Sequence, residues 1–176
     1  MGQCGYVVLI LAFVFSIIAS INFLLNARKK EKTAASKILV YIICGLLTVS
    51  VLIMETALVS HNFSLSYVID YSSRSMSFPY LVSSLWAGNA GSLLFWAWVL
   101  SICGAVVMWR WKERAKQLIS VTGSITMAVL AFFLLLLVAK ENPFIVQSSV
   151  PADGIGLNPL LQNPAMIIHP PMLLAG

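Results

Sequence analysis

Charge is scarce in this sequence. Only 10% of its 176 residues are Asp, Glu, Lys or Arg, against 60% hydrophobic residues. A soluble domain carries roughly a quarter charged residues, so the composition excludes one and identifies an integral membrane protein. The net charge of +5 does not describe a nucleic-acid binder, because the cations are not spread over a surface. Cysteine is nearly absent: Cys4, Cys44 and Cys103 follow no CxxC or metal spacing. They read as small apolar residues in or beside lipid-embedded helices. No Ser-His-Asp or Cys-His constellation is present, and neither is any internal repeat, low-complexity segment or soluble domain.

Long apolar runs dominate instead. Segments of about 6–25, 38–60, 93–109 and 118–138 are each apolar and close to the length that crosses a bilayer. No positive charge precedes the first run, so it does not read as a cleaved signal peptide. The start Met-Gly-Gln-Cys-Gly-Tyr lacks the hydroxyl residue expected at position six for myristoylation. Five Lys and Arg fall between Arg28 and Lys37 and four between Arg110 and Lys116, so nine of the eleven lie in two short loops. This is the positive-inside pattern. It places the N-terminus outside, both basic loops in the cytoplasm, and the segments 61–92 and 140–169 on the outer face. The expected fold is an all-α, polytopic helical membrane protein, a single membrane domain over 1–176 with four complete spans plus the start of a fifth.

Within that frame a few residues stand out. Glu55 lies inside the second span, where a carboxylate is costly. It either reaches the interface or faces protein, as a partner helix or a bound group would provide. His61 reads as an interfacial helix-end residue. Between them and the third span, Leu65, Val68 and Ile69 recur at helical spacing, which suggests a short amphipathic helix on the outer leaflet. Tyr67, Tyr71 and Tyr80 suit an interface, with buried rings and wet hydroxyls. Trp86 to Ser92 is a glycine-punctuated entry to the third span. Gly88 and Gly91 permit close approach of backbone, helix or flat ligand, and Trp86, Trp96 and Trp98 offer flat apolar surface. This reads as an interfacial aromatic belt or as a wall for a planar ligand. In the fourth span Gly123, Ser124 and Ala128 suggest a close-packed helix face.

The last twenty residues, LNPLLQNPAMIIHPPMLLAG, carry four prolines and His169 set before Pro170 and Pro171. A residue before proline is pushed toward extended backbone, and proline suits a first helical turn. Ile167 to His169 is therefore expected to be extended, with a helix starting at Pro170 or Pro171 and His169 at its N-cap. The positive helix end would keep the imidazole neutral, as a metal or haem iron requires. The alternative is a histidine that merely caps a helix. The incipient fifth span has only about seven residues, short of a crossing. The chain is therefore expected to be the N-terminal part of a longer protein or one piece of a split one.

Three segments together carry a family resemblance. Asn158-Pro159-Leu160-Leu161-Gln162-Asn163-Pro164 followed by Ile168-His169-Pro170-Pro171-Met172-Leu173, then Trp86-Ala87-Gly88-Asn89-Ala90-Gly91-Ser92-Leu93-Leu94-Phe95-Trp96, and His61 to Val68 resemble elements of CcmF/NrfE-type subunits of bacterial cytochrome c haem lyase. They lie in the family's order. Asn89-Ala90 stands where the family more often has Gln-Glu, so that carboxylate is missing here. The family's tryptophan-rich haem segment would lie downstream.

The resemblance implies a haem-handling subunit of the cytochrome c maturation machinery in the bacterial inner membrane. Its cofactor would be b-type haem, in transit to cytochrome c on the outer, periplasmic face. His169 would be an axial ligand to the haem iron, with Pro170, Pro171, Trp86, Gly88, Gly91 and Trp96 around the haem. Implied partners are a haem chaperone, a thiol reductant, apocytochrome c, and the remaining part of the lyase or other maturation subunits. The chain alone would not be a complete enzyme. From the residues without the resemblance, a transporter or channel subunit and a non-catalytic membrane assembly scaffold are the competing readings.

Overall fold

The computed structural model describes residues 1–29, 34–110 and 116–175. Parts of both basic loops, 30–33 and 111–115, and Gly176 lie outside the described residues. Four helices are long and apolar enough to cross a membrane, with mean hydropathies between 2.0 and 2.7. They are α1 (Gly2–Lys29), α2 (Ala34–Val59), α5 (Asn89–Arg110) and α6 (Lys116–Ala139). Shorter pieces fill the connections at one end: α3 (Ser66–Tyr71), α4 (Phe78–Ser83), and α7 (Pro164–Ala175). There is no proline in any of the four long helices, so each keeps an unbroken hydrogen-bond ladder. Helix α5 begins at Asn89 rather than at 93, which takes Gly91 and Ser92 into its first turn.

The long helices pack in a ring, α1 on α2, α2 on α5, α5 on α6 and α6 back on α1. Each neighbour runs antiparallel to the last, the up-and-down arrangement of a four-helix bundle. Arg28, Lys29, Arg110 and Lys116 mark one end, here called the basic end. The connections 60–88 and 140–163 cover the other, the loop end. The bundle is an all-α polytopic membrane protein.

Helices without water between them associate through close packing and interhelical hydrogen bonds. The α1–α6 pair uses both. Ser20 Oγ donates to the Ser124 carbonyl at 2.9 Å, and Ser124 Oγ donates to the Ser20 carbonyl at 3.0 Å. Beside this pair a Cβ on Gly123 would sit 3.0 Å from the Phe23 ring. The small-residue face expected on the fourth span is therefore there at Gly123 and Ser124. Ala128, however, is exposed, and the buried neighbour is Met127. Met127 turns toward α5, its end 3.4 Å from where a Cβ on Gly104 would sit.

At the loop end the two connections clasp each other. Leu65 and Val146 form an isolated antiparallel bridge, flanked by Ser66 N–H to Ile145 O and Gln147 N–H to Ser64 O, both 2.9 Å. Further along, Ile155 N–H donates to Ile69 O at 2.7 Å. Asp153 accepts from the Arg74 and Gly154 backbone N–H groups at 2.9 and 2.8 Å. Those bonds, the Arg74 one foremost, hold its carboxyl below the usual range despite full exposure. Arg74 also lies over the Phe63 ring, 5.6 Å from its centroid, and its Nε donates to Ala152 O at 3.1 Å.

The α1–α6 packing generates a direct test. Gly123→Leu overpacks against Phe23 and is expected to cost about 1–3 kcal/mol of stability. Val121→Leu, at a position facing away from the bundle, is expected to be neutral. Denaturation midpoints of the two variants in detergent check this; equal midpoints would mean that α1 and α6 do not meet here.

Candidate functional site

The site is built around the turn from α4 into α5. Phe78 starts α4 with Pro79 in its first turn, a position that needs no N–H. A 3-10 turn, Ser84–Trp86, follows, and α5 starts three residues later. Within this turn Ala87 N–H donates to Ser84 O at 3.2 Å, and further polar partners come from outside it. Tyr67 of α3 supplies them. Its ring is 5% exposed. Its hydroxyl donates to a pair of carbonyls, Ser84 O at 3.0 Å and Leu85 O at 2.9 Å, and accepts from Gly88 N–H at 3.1 Å. Burial raises this phenol above its usual range, with the Gly88 N–H acting the other way. The proton therefore stays in place to donate.

The two glycines of the motif make room for this arrangement. A Cβ on Gly91 would collide with the Leu85 carbonyl and the Tyr67 hydroxyl, and one on Gly88 with the Tyr71 ring. The close approach expected at Gly88 and Gly91 is thus made by two tyrosines of α3, packed ring to ring at 4.6 Å. In the described structure no flat surface is left open at these glycines for a ligand. Tyr67 was expected to keep a wet hydroxyl at the interface. It is instead fully internal, and α3 buries Tyr67 and Val68 into the bundle end rather than lying on a leaflet. Its place in the His61–Val68 motif was the available signal. What the sequence could not supply was the partner, seventeen residues away. Ser84 was missed likewise: its Oγ donates toward Tyr71 O and Tyr80 O, both at 2.8 Å.

Trp86 packs its ring on Phe95 at 5.5 Å, and its carbonyl accepts from Ser92 Oγ at 2.9 Å. Trp86 and Pro170 line one small cavity of about 160 Å³ together with Leu157 and Leu161. The structure thus brings two of the sequence-nominated elements together, the tryptophan turn and the His-Pro-Pro segment. Trp96 is not among them. It is 41% exposed and stacks on Phe133 of α6, 5.5 Å away at an interplanar angle of 11°.

The His-Pro-Pro segment is arranged differently from the expectation. Ile167 to His169 are not extended, and the helix does not start at Pro170. It starts at Pro164 and runs through both prolines to Ala175. Asn163 caps it, its Oδ1 accepting from Ala165 N–H at 3.0 Å, with Pro164 in the first turn. Asn158 and Pro159 do the same one turn earlier, with Oδ1 accepting from Leu160 N–H at 3.0 Å. Each Asn-Pro pair is a complete start signal, a capping side chain followed by a preset φ. The first such signal with enough chain after it sets the helix start. His169 is therefore past the first helical turn, where the helix dipole no longer biases the ring. Pro170 and Pro171 supply no N–H to the carbonyls four residues back, those of Met166 and Ile167.

His169 is exposed on α7. Met172 and Leu173, three and four residues on, share its face and are both highly exposed, Met172 at 67%. The segment is tied to α4 through Tyr80 Oη, which donates to Gln162 O at 3.1 Å. His61 takes a left-handed backbone, φ 52°, and its Nδ1 is buried without a partner among the described residues. Among the described residues no group of three or more His, Cys, Asp or Glu could hold a bare metal ion.

These features define an all-helical membrane protein whose loop end joins a tryptophan-glycine turn to a proline-rich histidine helix. Residues 86–176 match the family described as cytochrome C assembly protein, and the chain belongs to that family. It is 38% identical over 125 residues to the cytochrome c-type biogenesis protein CcmF of Pseudomonas fluorescens, covering 68% of this chain and 18% of that one. It is 34% identical over 115 residues to the probable cytochrome c-type biogenesis protein NrfE of Escherichia coli K12, covering 65% and 21%. A match to ccl1 of Rhodobacter capsulatus spans 99% of this chain and 27% of that one at 29% identity. The chain thus spans about a fifth to a quarter of the length of these relatives. The solved structure named Cytochrome c Heme Lyase CcmF shares the fold, with a TM-score of 0.72 over 84% of this chain and 25% of that one at 22% identity.

Removing the Tyr67 hydroxyl takes a partner from Leu85 O and from Gly88 N–H in a buried turn, while Ser84 O keeps its bond from Ala87 N–H. Tyr67→Phe is expected to lose about 1–3 kcal/mol, read as a lower thermal midpoint. Tyr80→Phe, which removes an exposed bond to the Gln162 carbonyl, should lose less. Equal losses would show that the buried hydroxyl carries no special weight.

Proposed function

We propose that this chain handles haem for cytochrome c maturation, as the N-terminal part of a haem lyase. The observation that carries the reading is the family match over 86–176, which contains both the Trp86 turn and the His169 helix that meet at one cavity. Haem is the substrate, and it brings the iron and the vinyl groups. The thiols of a CxxCH segment in apocytochrome c add across those vinyl groups to form thioether bonds. The chain's own residues bind, orient and shield.

His169 would ligate the haem iron through a ring nitrogen, and the second axial ligand would come from outside this chain. The chemistry of the donor set fits. The imidazole is exposed, and Met172 and Leu173 beside it give an apolar face on which a flat macrocycle can lie. The cavity between Trp86 and Pro170 admits an edge of the macrocycle, not the whole, since pockets that enclose a ligand of drug size run from about 300 Å³ upward. Haem would therefore rest on α7 rather than inside the bundle. Gly88 and Gly91 act at one remove, by seating the tyrosines that fix Trp86. Trp96 would meet haem only from the α6 flank.

The setting proposed is the bacterial inner membrane, with the N-terminus and the loop end on the outer, periplasmic face. The distribution of basic residues supports this orientation. Proposed partners are a haem chaperone, a thiol reductant, apocytochrome c, and further maturation subunits or the rest of the lyase. A transporter would break a helix near the bilayer midplane, whereas the four long helices here run without interruption and the proline-rich elements lie beyond their ends.

Two measurements test the proposal. In a background with Cys4, Cys44 and Cys103 replaced by Ala, an Ala152→Cys variant should react with a membrane-impermeant thiol reagent in intact cells. An Ala34→Cys variant should not, and labelling of Ala34→Cys would reverse the orientation. In the complete complex, His169→Ala should lower haem retention and c-type cytochrome yield by about tenfold or more, as loss of a metal-site group typically does. Added imidazole should restore part of both in His169→Gly. Unchanged haem content and absorption spectrum in His169→Ala would remove this residue from the iron.

A further inference from the structure

A cleft of about 660 Å³ opens on the flank of the bundle, where α2, α4 and α5 meet. Phe78, Leu85, Trp86, Phe95 and Trp98 make its walls almost wholly apolar. One carboxylate borders it. Glu55 lies a turn before the end of α2 at Val59, and its Oε2 is buried without a hydrogen-bond partner among the described residues. The neighbouring Thr56 hydroxyl is already committed to Leu52 O at 2.7 Å. An acidic group at this depth in a membrane normally pairs with a donor or a cation. Here the described residues offer neither, so the donor has to arrive with whatever fills the cleft.

We propose that the cleft seats a transmembrane helix from outside these 176 residues, and that this helix presents one Lys, Arg, Asn or Gln side chain to Glu55. The shape selects a helix. The α2 side of the cleft consists of Val51, Leu52, Glu55, Thr56, Val59 and Ser60. That is a stripe repeating every four residues, the ridge into which a neighbouring helix packs. It runs for nearly three turns, and α5 continues the wall with Phe95 and Trp98 one turn apart. The cleft is also open along its length, whereas a small-ligand site buries most of its ligand. The charge selects the side chain. Apolar packing alone would leave the carboxylate stranded, and a single donor at its level satisfies it and fixes the depth and rotation of the incoming helix. The inference does not rest on haem ligation by His169, which lies on a different element.

The test is photocrosslinking in membranes that contain the full set of maturation subunits. A benzophenone amino acid is placed at Leu52, in the stripe, and in a separate strain at Phe132, on the outer surface of α6. Crosslinks from position 52 are expected to map to a membrane helix outside these 176 residues with Lys, Arg, Asn or Gln within one turn of the attachment point. Position 132 is expected to give lipid adducts. Glu55→Leu should lower the position-52 crosslink about fivefold at equal chain abundance, while Glu55→Gln should keep more of it. Thr56→Trp, which fills the cleft without touching the charge, should also lower it. Lipid-only adducts at position 52, attachment to a second copy of this chain, attachment to a helix without such a residue in reach, or a yield indifferent to Glu55→Leu and Thr56→Trp would each overturn the proposal. Haem retention, followed in parallel, reports on His169 separately.

Discussion

The turn that carries Trp86 depends on one buried hydroxyl. The turn from α4 into α5 meets Ser84 O with its own Ala87 N–H, and Tyr67 adds a second bond there, satisfies Leu85 O and holds Gly88 N–H. An unmet buried polar group costs more than a met one contributes, so the turn and the tyrosine require each other. The rest follows in order. Gly91 must lack a side chain because the Leu85 carbonyl and Tyr67 occupy its space. Trp86 is fixed because the residues on both sides of it are fixed. Ser84 carries the tie back to Tyr71 and Tyr80, and Tyr80 carries it on to Gln162 and so to α7. A bond inside the bundle end thus sets where an exposed histidine helix is anchored.

Much of this was legible in the residues and some was not, for reasons that differ by element. The spans were readable because a bilayer demands about twenty apolar residues in a row, a constraint that acts on the chain locally. Gly123 and Ser124 were readable because small residues admit a neighbour, but Ala128 was not. Which residue is buried one turn on depends on where α5 lies as well as α1, and Met127 meets Gly104 there. Gly88 and Gly91 were rightly read as points of close approach, yet the groups that approach are Tyr71 and Tyr67. A glycine announces that something comes near without saying what. Tyr67 itself was invisible as a structural residue because its partners are contributed by another segment. Its amphipathic chemistry is equally suited to an interface.

The His169 segment shows two local rules in competition. A residue before proline avoids the helix, and proline opens helices; both pointed to a start at Pro170. Asn163-Pro164 satisfies the same rules six residues earlier and adds a capping side chain. Once a helix is running, extending it costs less than nucleating a new one. The two internal prolines are tolerated at the expense of two carbonyl partners, and they weaken α7 at the point where the histidine projects. The dipole argument for a neutral imidazole does not survive this relocation. What supports ligation is different: the exposure of the ring, and the apolar side chains one turn on.

Trp86 gives the site its geometry. Its ring borders the small cavity shared with Pro170 on one side and the 660 Å³ cleft of Glu55 on the other. Phe95 packs against it, and Ser92 Oγ donates to its carbonyl from within α5. A rigid indole shared by two cavities cannot move without reshaping both. The bundle therefore does not merely carry the histidine helix at its end. Occupation of the flank would brace the same tryptophan against which the histidine helix is set, and packed interiors pass on such bracing because they yield little. The precision of the exposed site is in this way a property of residues buried beneath it.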